Sequence, residues 1–393
     1  MPDERGRRAL LLRDTQGIAP NHARIPLALV PIVSRFDGSR TCAQIAREAA
    51  RETGREVEVD LVVTIATELE EALFVDGDPY RRARARVERE FLEATVRPAS
   101  HAGGAYHGDP DELARYLDES CLATARAAPA REPRALVGLV APHIDPWRGA
   151  RCYGEAYTAL RSALPEEVDT FVLFGTSHAP MREPFALCRK AFATPLGTVE
   201  ADLPAIDALA AACEFDPYAD QLNHKREHSL EFQAVFLRHL LGARKARIVP
   251  VLAGLGEEQA TGKSPSRKRS VERFFEAVRQ LVEERGAVVV AGADLAHVGP
   301  RFGDPRPYDD RERRRLDEED RTSLAHATEL DAEGFWAHVA PDLDTRRVCG
   351  LGPIYSLLRS LGPGAKGELR HYEQTVDPEE GSIVSHAAVG FYR

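Results

Sequence analysis

The sequence predicts an α/β protein: a largely parallel sheet with helices on both faces, preceded by a small winged-helix-like domain. Three observations carry that prediction. From Leu136 onward, apolar runs alternate with helical stretches, the pattern of strand–crossover–strand units. The first of these runs, Leu136 to Val140, is short and rich in branched residues, as a fully buried strand should be. Three runs each end in an imidazole within a few residues, at His143, His178 and His297. In open α/β sheets ligands bind beyond the carboxyl ends of the strands.

A chain of 393 residues holds one large domain and a smaller one. A hydrophobic fraction of 43% and a charged fraction of 29% describe an ordinary globular composition. The formal net charge of −10 gives no nucleic-acid-binding signature. The opening MPDERGRRALLL is too polar for a secretory signal, and no run of about 18 uncharged apolar residues suggests a membrane span. Cysteines 42, 121, 152, 188, 213 and 349 are scattered singly with no CxxC pair, so reduced thiols and a cytoplasmic location are expected.

Residues 1–80 read as the small domain. Val30 to Arg35 is an apolar segment closed by the turn Phe36-Asp37-Gly38. Ser39 or Thr41 can cap a helix through Ala43, Ile45, Ala46 and Ala49. Val59, Val62, Ile65, Leu69 and Leu73 recur at helical spacing, and Phe74 to Asp78 gives a hairpin-like end. Residues 81–98 are highly charged and read as a solvated helical linker. Residues 99–393 form the α/β domain. Asp109 and Pro110 open a helix running to about Thr124. After the strand at Leu136, a helix carries Ala156, Leu160 and Leu164. The strand Phe171 to Phe174 follows and runs on to His178, and Phe185 to Ala193 is strand-like. Helices are expected over 202–213, 228–241, 311–327 and 348–361. The strand 248–252 contains Pro250, which argues for an edge or a strand end. The basic tract SPSRKR reads as an exposed loop, and Ser382 to Tyr392 as a final strand.

A lone histidine at a strand end is ordinarily a satisfied surface or core residue. Three beside one buried sheet, one of them three residues from Asp294, point to a metal or acid–base site. Cys349 sits where a helix opens, and a helix N-terminus lowers a thiol pKa. Taken alone, it reads as a small buried apolar residue.

The segments Ala141-Pro142-His143, Gly175-Thr176-Ser177-His178, Thr194-Pro195-Leu196-Gly197, Glu227-His228-Ser229-Leu230-Glu231, Asp294-Leu295-Ala296-His297 and Cys349-Gly350 occur in the order and approximate spacing of the Memo family. Its microbial members are also called AmmeMemoRadiSam system protein B. The resemblance covers residues 99–393. The Memo fold is similar to the class III extradiol dioxygenases, which hold non-haem Fe(II) with two histidines and a carboxylate. The resemblance implies metal ligands His143, His178 and Cys349, with the thiolate replacing the carboxylate. It makes His297 the acid–base histidine with Asp294 beside it, and puts His228 and Glu231 among the catalytic group without assigning their roles. Iron is the expected ion, with copper or zinc as alternatives that a thiolate also suits. Asp294 is placed to fix a neighbouring imidazole.

The stretch FDGSRTCAQIA in the small domain resembles the PqqD-like domains that grip precursor peptides for modification by radical enzymes. That implies a precursor peptide or a radical-SAM protein as partner. The alternative for this domain is a plain accessory helical unit.

The sequence departs from the Memo pattern in three places. Ile144-Asp145-Pro146-Trp147-Arg148 replaces the usual small and aromatic residues after the first histidine. Ala179 stands where a second histidine is common, and Val298 follows His297 in place of an aromatic. Asp145 reads as a turn residue before Pro146 rather than a ligand. Three functions remain open: a metal-dependent redox enzyme of the oxygenase type, a non-catalytic peptide- or protein-binding module, and a zinc hydrolase in which His297 or Glu231 activates water.

Overall fold

The computed structural model describes residues 9–126, 134–242 and 244–393. The chain divides into two compact units, Met1–Ala94 and Thr95–Arg393.

In the first unit a hairpin of β1 (Ala9–Leu12) and β2 (Ala23–Pro26) leads into four helices. These are α1 (Val30–Val33), α2 (Cys42–Thr53), α3 (Val59–Glu71) and α4 (Asp78–Glu93). Thr41 opens α2 with a reciprocal cap. Its hydroxyl accepts from the Gln44 N–H, and Gln44 Oε1 accepts from the Thr41 N–H. Ile32, Ile45, Ala49, Val62, Ile65 and Leu69 meet in the core of this unit. The hairpin-like end expected at Phe74–Asp78 is a turn into α4, because Asp78-Pro79 supplies a helix start. The hairpin lies instead at the beginning of the unit. Most of the stretch 81–98 continues α4, where Val87 and Phe91 are buried.

The second unit contains the strands β3 (Val96–Arg97), β4 (Leu136–Ala141), β5 (Thr170–Thr176), β6 (Phe185–Leu187), β7 (Ala191–Thr194), β8 (Gly197–Ala201), β9 (Arg247–Ala253), β10 (Val288–Gly292), β11 (Asp294–Val298), β12 (Lys366–Val376) and β13 (Ile383–Tyr392). They form one 11-stranded mixed sheet in the order β11-β13-β4-β10-β5-β9-β8-β7-β3, with β12 on β13 and β6 on β9. Its centre, β4-β10-β5-β9, is parallel. The carboxyl ends of β4, β5 and β10 therefore share one rim, where His143 and His178 emerge. β13 runs antiparallel to β4 and β11, which share one of its edges end to end.

The helices are α5 (Pro110–Tyr116), α6 (Pro146–Ala163), α7 (Leu203–Ala212), α8 (His228–Leu241), α9 (Gly256–Thr261), α10 (Arg269–Arg285), α11 (Asp310–Thr328), α12 (Ala332–Val339), α13 (Leu343–Arg346) and α14 (Leu351–Ser360). Strand side chains alternate between faces. Val172, Phe174, Val249, Val251, Val289 and Ala291 form one core with α7, α10, α12 and α14. The intervening positions Gly175 and Gly292 abut α8 instead. Helices thus cover both faces, as the uniform apolar runs require. Tyr153 and Tyr157 of α6 stack on Phe236 of α8 and tie that layer together.

Pro250 is not at a sheet edge, because β9 is flanked by β5 and by both β8 and β6. The second edge of β9 is divided: β8 pairs as far as Ile248, and β6 begins at Val251. Pro250 falls in the join, where neither short strand pairs with it. Asp145 is the N-cap of α6 and accepts from the Arg148 N–H at 3.1 Å, the turn role expected of it.

Candidate metal centre

His143 leaves the end of β4 and is buried. Its Nδ1 lies 2.9 Å from the Gly292 carbonyl. A carbonyl only accepts, so the proton sits on Nδ1, and Nε2 points away as a donor atom for a metal. Gly292 is required there, since a Cβ at that position would meet the Ser229 carbonyl oxygen at 2.2 Å. His178 follows β5. Its Nδ1 lies 3.0 Å from Glu227 Oε1, and its N–H donates to Glu227 Oε2 at 3.0 Å. A carboxylate fixes the second imidazole as the carbonyl fixes the first, again leaving Nε2 outward.

Cys349 stands just before α14, whose N-cap is Gly350. Its carbonyl accepts from the Thr176 hydroxyl at 2.9 Å, and the Gly350 N–H donates to the Asp294 carbonyl at 3.0 Å. A side chain at Gly350 would bring a Cβ to 2.3 Å from that same oxygen. The thiol is thus pinned between the ends of β5 and β10–β11. Cys349 Sγ lies 3.2 Å from His143 Nε2. One donor atom each from His143, His178 and Cys349 lie within 4.8 Å of one another. Zinc-type bond lengths of about 2.0–2.3 Å separate N and S ligands on one ion by roughly 3.5 Å, so the arrangement fits a single metal.

The charges agree with the geometry. Burial raises the Cys349 thiol, but His143 and His297 outweigh it and bring the pKa down to about 5. Burial lowers His143, but Cys349 and Asp294 outweigh it and raise the pKa to about 9. Without an ion, the pair is a thiolate and an imidazolium sharing a proton. A metal would take the place of that proton. Burial also lowers His178, and Glu227 raises it to about 11. Glu227 is held well below the usual carboxylate range, mainly by His178 acting against burial.

Asp294 does not orient an imidazole through its ring Nδ1, the position expected for a fixing partner. Its Oδ1 accepts from the His143 backbone N–H at 2.8 Å, and Oδ2 is 3.6 Å from Nε2. It holds the loop rather than the ring tautomer. A bulge in β11 between Asp294 and His297 gives these residues the partners His386 and Val384, two apart on β13. The bulge puts Asp294 and His297 on the same face, which a regular strand would not do at that spacing. His297 Nδ1 lies 3.2 Å from the Leu295 carbonyl, and its ring meets the edge of Phe302.

His228 opens α8 and stacks on His178 at 4.6 Å, with His143 5.3 Å away. Burial pushes its pKa down to about 3, so it is neutral. Glu231, expected in the catalytic group, is fully buried. Both its oxygens are engaged: Oε1 accepts from the Tyr106 hydroxyl at 2.5 Å and the His101 N–H at 2.9 Å. Oε2 accepts from Arg97 at 2.6 Å and the Ser100 hydroxyl at 2.8 Å. These contacts give the buried Arg97 guanidinium the counter-charge it needs.

Sequence reasoning gave Glu227 no role of its own. A carboxylate directly before a histidine at a helix start was the available signal, but Glu227 also caps α8, accepting from the Ser229 N–H at 3.0 Å. Reasoning missed His101 as well, which lies in a loop without periodicity. A cavity of about 1000 Å³ opens on His178 and Cys349 and extends past Met181 and Phe215 to Glu258 and Lys268.

A family model described as Memo-like protein matches residues 97–390. The chain is 26% identical over 386 residues to a MEMO1 family protein of Aquifex aeolicus, covering 97% of this chain and 96% of that one. It is 32% identical over 265 residues to one of Thermus thermophilus, covering 67% of this chain and 74% of the relative. A further MEMO1 family protein, of Methanosarcina acetivorans, is 30% identical over 266 residues, covering 65% of this chain and 86% of that one. No helix among the described residues is long and apolar enough to cross a membrane. With three quarters of its length matched and the six quoted segments inside that match, the chain belongs to the Memo-like protein family.

Proposed function

We propose that this chain is a metal-dependent redox enzyme of the oxygenase type, with iron bound by His143, His178 and Cys349. The observation that supports it is the convergence of those three donor atoms within 4.8 Å, with both imidazole protons held on the far nitrogen. Bound iron would supply Lewis-acid and electron-transfer chemistry, and three protein ligands leave positions open for small molecules. The chain's own residues do the remaining work. Gly292 and Glu227 fix the two imidazoles, and Asp294 holds the His143 backbone. His297 shares the face of Asp294 and acts electrostatically on Cys349, a suitable position for a proton donor and acceptor. The cavity beside His178 and Cys349 admits the substrate.

The test is metal analysis of anaerobically purified protein, followed by oxygen consumption after iron is restored. Stoichiometric iron with substrate-dependent oxygen uptake supports the reading. Stoichiometric zinc with hydrolytic turnover would replace it with the hydrolase reading. Absence of any metal, with peptide binding intact, would replace it with a binding module. We further propose that Met1–Ala94 brings a precursor peptide or a radical-SAM protein to this enzyme. Exposed Leu10, Leu27, Leu61 and Val63 on that unit suit an apolar partner. Calorimetric titration of the full chain and of a chain beginning at Thr95 with a peptide encoded nearby tests it: binding is expected only with the full chain.

A further inference from the structure

We propose that His101 is a further catalytic residue of this site, accepting a proton from an O–H or N–H group of the substrate. The proposal rests on the metal-dependent reading above. His101 continues a row of imidazoles that begins at the metal donors. Its ring centroid is 5.5 Å from His228, which itself lies 4.6 Å from His178 and 5.3 Å from His143. His101 therefore stands one ring beyond His228 from the metal donors. The His101 side chain is 27% exposed, so a small molecule can touch it.

What distinguishes His101 is how it is held. Its Nδ1 lies 3.1 Å from Glu231 Oε2 and 3.0 Å from the Ser100 hydroxyl, and its backbone N–H donates to Glu231 Oε1. Glu231 is fully buried and ionised, held below the ordinary carboxylate range by His101 and Arg97 acting against burial. An ionised carboxylate accepts only, so the neutral ring carries its proton on Nδ1 and presents a bare Nε2. Among the described residues, the rings of His228 and Phe232 also lie against this imidazole. This is a carboxylate–imidazole dyad built outside the metal donors, with Arg97 as its buried counter-charge. In the step, the substrate O–H or N–H bond breaks and its electron pair stays on the heteroatom. The proton forms a new bond to Nε2, Glu231 stabilises the imidazolium, and the proton later leaves by the same nitrogen to product or water.

Nitrogen NMR of histidine-labelled, unmodified protein reads the tautomer directly. The neutral Nδ1–H form of His101 is expected, and a neutral Nε2–H form would overturn the proposal. The second measurement uses 4-nitrophenol as probe on the metal-loaded protein, with ion content determined in the same samples. Wild type is expected to convert bound phenol to phenolate, seen in its absorption. His101→Gln should bind the same amount of metal but form at least tenfold less phenolate. Equal phenolate in the variant at equal metal content would sink the proposal and leave the metal centre standing. Absence of metal from wild type would sink the reading on which it rests.

Discussion

Two imidazoles and one thiolate leave little ambiguity about which side chains must be tested first. His143→Ala and His178→Ala are expected to abolish stoichiometric metal in purified protein while leaving the circular dichroism spectrum of the fold. Retention of metal in both would dismiss this ligand set. Glu227→Gln keeps the size but weakens the hold on the His178 proton. Metal affinity should fall by about 10–100-fold, measured by chelator competition. His224 gives a pH dependence. It is fully buried, its Nε2 sits 2.9 Å from the Ala186 carbonyl, and burial pushes its pKa from 6.5 down to about 4. Between those values the unfolded chain binds the proton and the folded chain does not. This group's contribution is therefore complete above about pH 6.5 and lost as the pH falls toward 4, roughly 3 kcal/mol in all. Urea denaturation between pH 7 and 4.5 should show that slope, and His224→Asn should flatten it. The three candidate ligands were legible because each terminates an apolar run or opens a helix. His101 and Glu227 were not, because their partners lie 130 and 49 residues away along the chain and no local pattern marks them.

At the scale of elements, the rim works because α8 clamps two strand ends. Ser229 donates to the Thr176 carbonyl at 2.9 Å, and Gln233 donates to the Pro142 carbonyl at 2.9 Å. The Tyr157 hydroxyl donates to Gln233 Oε1 at 2.7 Å and fixes that amide. The clamp needs a close approach that only glycine at 292 permits. Gly292→Ala should destabilise the protein by about 3 kcal/mol, read as a lower denaturation midpoint. An unchanged midpoint would show that α8 can retreat without cost. Apolar periodicity revealed α8 and the central strands, but it did not reveal β12. KGELRHYEQTV opens with charge at the alternate positions Lys366, Glu368 and Arg370, as befits a strand whose outer edge has no partner strand among the described residues. Pro250 misled for the opposite reason: proline argues against a central strand, yet a divided neighbour removes the objection.

The molecule as a whole consists of a complete α/β unit and a smaller helical one, each with its own core. A chain beginning at Thr95 should therefore fold and hold as much metal as the full protein. Loss of metal from that truncation would show that the first unit contributes to the centre. The sequence located both cores because each has its own periodic apolar positions. It located the candidate site's rim because three strands end together, but it left the direction of β13 and the bulge in β11 to be found in the structure.

The donors come from the ends of the two strands that flank β10 and from a turn far later in the chain. An ion gripping all three acts as a staple across loops that the unfolded chain would have to close unaided. At a free concentration one hundred times its Kd, it would add about 2.7 kcal/mol to resistance against heat and urea. The supply of that ion would then set how long the protein survives, quite apart from any turnover.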